Sequence, residues 1–157
     1  MRKDKYIKEK GHDPYDERRK YPEGTFCPQC NAIYKSGRWE WHGEKVPKGE
    51  AHLCPACRRI KDNYPAGEVL LTGEYIKEHR EEIVNLINNL LEEEGGRSPL
   101  KRAMEFTIGD ERIFLTLTDD HLARHIGEAV RRAHRGELEI KYGEESRFIR
   151  LHWHRDF

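Results

Sequence analysis

The residues with the most specific chemistry are four cysteines, Cys27, Cys30, Cys54 and Cys57, arranged as C-x2-C, twenty-three intervening residues, and C-x2-C. Each pair brings two thiolates to one ion, and two pairs complete a closed tetrahedral site with no position left for water or substrate. That pattern predicts one structural Zn2+. Iron is the competing metal, because rubredoxin-like knuckles use the same four ligands. Disulfides are the alternative without metal, and the paired spacing argues against them. A thioredoxin-like redox pair is a further alternative, disfavoured because two C-P-x-C motifs share a metal more readily than they act separately. His42 and His52 lie close in sequence, so a set of three cysteines with His52 is also conceivable.

The elements that must position these ligands can be read around them. Phe26-Cys27-Pro28-Gln29-Cys30-Asn31 predicts a tight knuckle in which Asn31 takes the left-handed conformation. Ala32 to Tyr34 and Arg38 to Trp41 predict a hairpin turning at Ser36-Gly37. From Cys54 to Asn63 a helix is expected, with Pro55 at its first position and Pro65 beyond its end. Knuckle, hairpin and helix describe a treble-clef zinc module, with a plain zinc ribbon as the alternative. Phe26, Tyr34, Trp39 and Trp41 are read as the packing of so small a module, and only those left exposed are free to stack on bases.

Of the 157 residues, 37% are charged against about 25% in an average globular protein. No apolar run reaches the roughly 20 residues of a membrane span, and the start lacks a signal-like apolar stretch, so a soluble, cytoplasmic protein without a membrane partner is expected. Basic and acidic residues balance at 29 each, which argues against a polyanion binder held by bulk charge. Their distribution is uneven. Residues 25–65 carry seven basic and four acidic residues, and residues 66–96 two and eight. Residues 1–24, rich in charge and poor in aliphatics, predict an extended arm. In it Arg18, Arg19 and Lys20, interleaved with Tyr6, Tyr15 and Tyr21, suit an RNA surface. Arg58, Arg59 and Lys61 continue the basic character onto the helix of the zinc module. The competing reading of both groups is a solvated surface.

Residues 66–157 predict a separate α+β domain, distinct from the zinc module at 25–65. A strand at Glu68–Leu71 precedes a helix at Tyr75–Glu94 that stops at Gly95-Gly96, with Ile76, Ile83, Ile87 and Leu90 or Leu91 inward. Strands 103–108 and 112–118 turn at Gly109-Asp110. A second helix, 119–135, places Leu122, Ile126, Val130 and Ala133 inward, and strands 137–142 and 147–154 close the chain. The order is βαββαβ plus one strand, the ferredoxin-like plan with helices on one face of the sheet. Alternation places Met104, Phe106, Ile108, Ile113, Leu115, Leu117, Leu138, Ile140, Tyr142, Ile149, Leu151 and Trp153 under the helices. Phe114, Lys141, Phe148, Arg150, His152 and His154 fall on the open face. Of these, Phe148, Arg150 and His152 are RNA-binding candidates, although that face equally suits the zinc module or a second subunit.

No catalytic constellation is legible: there is no Walker loop, no G-x-S-x-G and no H-E-x-x-H. Asp119, Asp120 and His121 resemble an acid–base group, but acidic residues are also what a helix start requires. The chain is expected to be non-enzymatic, with no small-molecule substrate.

The strings FCPQCNAIYKSGRW and CPACRRIKDNYPAG, followed by a strand and a long helix, resemble a family of small bacterial proteins. That family is related to the archaeal and eukaryotic large-ribosomal-subunit export adaptor of the nonsense-mediated-decay protein 3 type. The resemblance covers residues 26 to about 154. It implies zinc held by Cys27, Cys30, Cys54 and Cys57, and association with ribosomal RNA or the ribosome. The adaptor's further zinc module and its export signals have no counterpart here. The expectation is a zinc-binding, RNA- or ribosome-associated factor of assembly, quality control or dormancy. The alternative is a zinc-stabilised protein-interaction adaptor or homodimer using the open sheet face.

Overall fold

The structure is a computed structural model that describes residues 21–41, 49–143 and 148–157. The arm residues Arg18, Arg19 and Lys20, together with Tyr6, Tyr15 and His42, lie outside the described residues.

Within the cysteine-bearing segment, strands β1 (Ile33–Lys35) and β2 (Arg38–Glu40) pair antiparallel, with Tyr34 opposite Trp39. Their turn runs through Ser36 and Gly37 at φ of 54° and 88°. Two successive positive φ values give the turn whose twist matches that of the strands, and glycine takes such a value without steric cost. Helix α1 (Pro55–Asp62) follows, with Cys54 as its N-cap and proline at the first turn. Asn63, at φ 52°, closes it in the left-handed conformation.

The second unit is a five-stranded mixed sheet under two helices. Strand β3 (Gly67–Thr72) leads to helix α2 (Tyr75–Arg97), then to β4 (Ala103–Ile108), β5 (Arg112–Leu117), helix α3 (Asp120–His134), β6 (Glu137–Tyr142) and β7 (Ile149–His154). The sheet order is β4-β5-β3-β7-β6. Strand β3 is central, antiparallel to β5 and parallel to β7. The closing hairpin therefore enters with its second strand against β3 and leaves β6 at the edge. The connection out of β3 begins at Gly73, whose φ is 123°, and a Cβ there would sit 1.8 Å from the Arg155 carbonyl oxygen. Only glycine lets the two chain segments pass.

Period-two alternation sets the core. Val69, Leu71, Ile113, Leu115, Leu117, Ile149, Leu151 and Trp153 meet Ile76, Ile83 and Ile87 of α2 and Leu122, Ile126 and Val130 of α3. Leu138, Ile140 and Phe106 pack on its rim. Four expectations are corrected. Helix α2 runs through Gly95 and Gly96 to Arg97, because two glycines weaken a helix without ending it. The stop comes at Ser98, extended at φ −147° ahead of Pro99. Met104 lies outside the apolar core, since a register shift between Ala103 and Glu105 breaks the alternation and leaves Ala103 against the core instead. Ile108 and Tyr142 are exposed at the ends of edge strands; the Tyr142 hydroxyl is reached by Arg124 of α3 at 2.9 Å. In the last turn of α3, His134 rather than Ala133 is buried. Asp119 is the N-cap of α3, accepting from the Leu122 amide at 2.9 Å, which accounts for the acidic start.

No helix among the described residues is long and apolar enough to cross a membrane.

Candidate metal centre

The two cysteine pairs arrive on different local structures. Cys27 and Cys30 sit on a knuckle closed by the Asn31 amide donating to the Cys27 carbonyl at 2.8 Å and the Cys27 amide donating to the Ala32 carbonyl at 2.9 Å. Asn31 takes φ 67° to allow it. Phe26 anchors the knuckle to the returning chain: its amide donates to the Glu50 carbonyl, and its carbonyl accepts from the His52 amide. The second pair belongs to the start of α1, where the Cys57 amide donates to the Cys54 sulfur at 3.4 Å. A helix N-terminus favours a thiolate at that point.

The four sulfurs lie within 4.8 Å of one another. Cys30 Sγ and Cys54 Sγ are 3.9 Å apart, too far for a disulfide and close to the roughly 3.8 Å edge of a tetrahedron with 2.3 Å metal–sulfur bonds. All four are free thiols. Cys27, Cys54 and Cys57 are buried and Cys30 is half-buried. The donor set thus fits a tetrathiolate-bound ion such as Zn2+, which when bound cross-links knuckle and helix. Without an ion the cluster cannot hold four charges. The hydrogen bond to Cys54 chiefly draws Cys30 down to about 5, the same contact pushes Cys54 up, and burial pushes Cys57 up to about 11. His52 stands outside the sulfur cluster. Its ring meets Tyr21 edge-on at 4.5 Å, and its Nδ1 lies 3.2 Å from the Leu53 carbonyl.

One cation reaches the cluster from the other unit. Arg102, just ahead of β4, directs its terminal nitrogen to Cys54 Sγ and Cys57 Sγ at 3.3 Å each and to Cys30 Sγ at 3.7 Å. Its Nε donates to the Pro99 carbonyl at 2.8 Å, and its amide donates to Thr118 Oγ1 at 2.8 Å. The sequence reading passed over this residue. Nothing local distinguishes an arginine in a helix-to-strand connection, and its partners lie 45 to 72 positions away.

The expected RNA contacts separate. Lys61 is exposed on α1, whereas Arg59 is only 4% exposed and donates to the Tyr64 carbonyl at 3.0 Å, bracing the helix end. Arg58 is half-buried on the same helix. On the open sheet face, Arg150 pairs with Glu68 at 3.3 Å and lies over the Phe148 ring at 5.1 Å. His152 and His154 both reach Thr72 Oγ1, at 2.9 and 2.8 Å. Phe114 is covered by Arg112 at 5.6 Å. Among the aromatics of the module, Tyr34 and Trp39 are buried, while Trp41 is 40% exposed and donates from Nε1 to the Gly95 carbonyl at 2.7 Å. Comparison with protein-family models, with curated proteins and with solved structures finds no match to this chain.

Proposed function

We propose that the chain is a non-enzymatic, cytoplasmic zinc protein of the translation apparatus that contacts ribosomal RNA. In this reading Cys27, Cys30, Cys54 and Cys57 hold one structural Zn2+ in a treble-clef module, beside a ferredoxin-like α+β domain modified by the insertion of its last strand. The observation that carries the zinc scaffold is the closure of four sulfurs within 4.8 Å, a set that leaves no open coordination position. Support for RNA comes from the same module. Lys35, Arg38 and Lys61 are exposed on it, and Trp41 offers part of its ring in a cleft of about 460 Å³ that it shares with Arg38, paired to Glu40, and Arg97, paired to Glu93. Cations for phosphate next to an aromatic ring for a base is the combination that single-stranded RNA requires. The resemblance of the cysteine strings to the ribosomal export-adaptor family points the same way, toward assembly, quality control or dormancy.

The test is co-sedimentation of the tagged chain with ribosomal subunits from gently lysed cells across a salt series. Comigration at low salt that falls steeply as salt rises is expected, because each phosphate contact releases counterions. A protein that stays at the top of the gradient at every salt concentration overturns the reading.

The open sheet face favours a second reading for that surface. It mixes Glu68, Glu137 and Glu139 with Arg112, Lys141 and Arg150; Arg150 meets Glu68 and the Phe148 ring, and Arg112 lies over Phe114. Such a face suits a protein partner or a second copy better than a phosphate backbone. Association that persists at high salt in sedimentation would mark it.

A further inference from the structure

We propose that Arg102 is a latch that makes metal loading of the cysteine module and its docking on the α/β unit one coupled event. The arginine is fastened entirely on its own side. Its amide is held by Thr118, whose hydroxyl in turn donates to the Leu100 carbonyl at 2.7 Å, and its Nε is held by Pro99. Its Nη2 is directed at the face formed by Cys30, Cys54 and Cys57.

That contact needs three sulfurs from two separate elements gathered on one side of the cluster. Four thiolates around a divalent cation keep two formal negative charges, and the guanidinium offsets one of them through charge-assisted N–H···S bonds. Once the ion leaves, nothing cross-links the Cys27–Cys30 knuckle to the start of α1, and the three-sulfur face that Arg102 meets is no longer held together. Elsewhere in the described interface Leu100 packs against the module's apolar cluster, and Trp41 donates to Gly95. The Arg102 contact falls on the proposed metal ligands themselves, so it is the part of the interface that the metal controls. Linkage makes the effect reciprocal, so whatever stability the docked arginine lends to the metal, the metal returns to docking. The consequence is a placement of the module that responds to metal removal while the sheet and helices stay folded. This rests on the four-thiolate reading of the site.

The experiment uses the full chain loaded with Zn2+ or Co2+, comparing wild type with Arg102→Met, which keeps the stem but loses charge and donors, and with Arg102→Lys. Arg102→Met is expected to weaken metal binding about 10- to 100-fold in chelator competition. It also shifts the thiolate-to-cobalt absorption band and speeds amide exchange in 33–41 and 95–102 with metal still bound. Chelation of the wild type opens the same segments while 113–117 and 149–153 stay protected, and Arg102→Lys falls between. Affinity within about twofold of wild type, with unchanged exchange, overturns the latch. Should Arg102→Met lose protection at 113–117, the wild-type chelation experiment decides alone: unchanged exchange at 95–102 on metal removal overturns it. A wild-type chain that takes up no metal overturns the four-thiolate reading itself.

Discussion

The cysteine module and the α/β unit solve the same stability problem with different means. The α/β unit buries fifteen residues in one cluster, nearly all of them aliphatic and drawn from three strands and both long helices. The buried cluster of the module is Cys27, Ala32, Tyr34, Trp39, Cys54, Ala56 and Cys57, so three of its seven members are the proposed metal ligands. So short a segment has too little apolar surface to offset its chain entropy, and a metal held by the four cysteines would supply the difference. Two small strands and an eight-residue helix then need only aromatic edges, Tyr34 on Trp39 at 5.6 Å and Tyr21 on both, to complete the packing. On the proposed reading, stability in one region follows metal and in the other follows buried area.

The sharpest way to break that contrast is Cys27→Ser. Structural zinc is worth about 10–16 kcal/mol in small metal-folded units, so the variant is expected to lose its metal and unfold residues 25–65. Protection at 113–117 and 149–153 should remain. Metal content by atomic emission together with hydrogen exchange checks this, and an intact module with unchanged metal would rule out the four-cysteine assignment.

Leu115→Ala is the counterpart on the other side. The residue is fully buried on the central face, and its loss should cost about 2–5 kcal/mol in urea unfolding of the α/β unit. Metal affinity should change little.

The smallest effect is a pH dependence confined to the α/β unit. Burial holds His134 below its ordinary value of 6.5. Tyr75 bonds its Nδ1 at 2.8 Å, and Glu82, His79 and Arg155 are the charged or titratable groups that act on it. The folded state therefore prefers neutral His134. Its contribution is fully present above the unfolded value of 6.5 and is lost as pH falls through the folded value below it. Thermal melts of the wild type should drop between pH 7.5 and 5 by more than those of His134→Gln, which keeps hydrogen-bonding atoms but does not titrate.

Much of this molecule is legible along the chain because local rules decide it. The turn at Ser36-Gly37, proline at the start of α1, the left-handed Asn31, the Asp119 cap and the alternating core strands each rest on residues a few positions apart. The misreadings have physical causes. At Gly95-Gly96 a weak helix-breaking preference gave way to Pro99, the stronger stop three residues on. At Met104 a bulge shifted the register, and one shifted residue is enough to move a side chain between faces. Arg59 read as a surface cation because burial is invisible to charge counting, yet its stem and head brace the end of α1.

The cysteine spacing by itself determined the donor set, since four thiolates in two close pairs leave few other arrangements. Hydrophobic periodicity likewise determined which strands and helices form. Only the tertiary structure decided that β7 rather than β6 lies against β3, and that Arg102 meets the sulfurs. Both are pairings between residues tens of positions apart, chosen by the packing of the whole sheet and by the attraction of one cation to clustered sulfur.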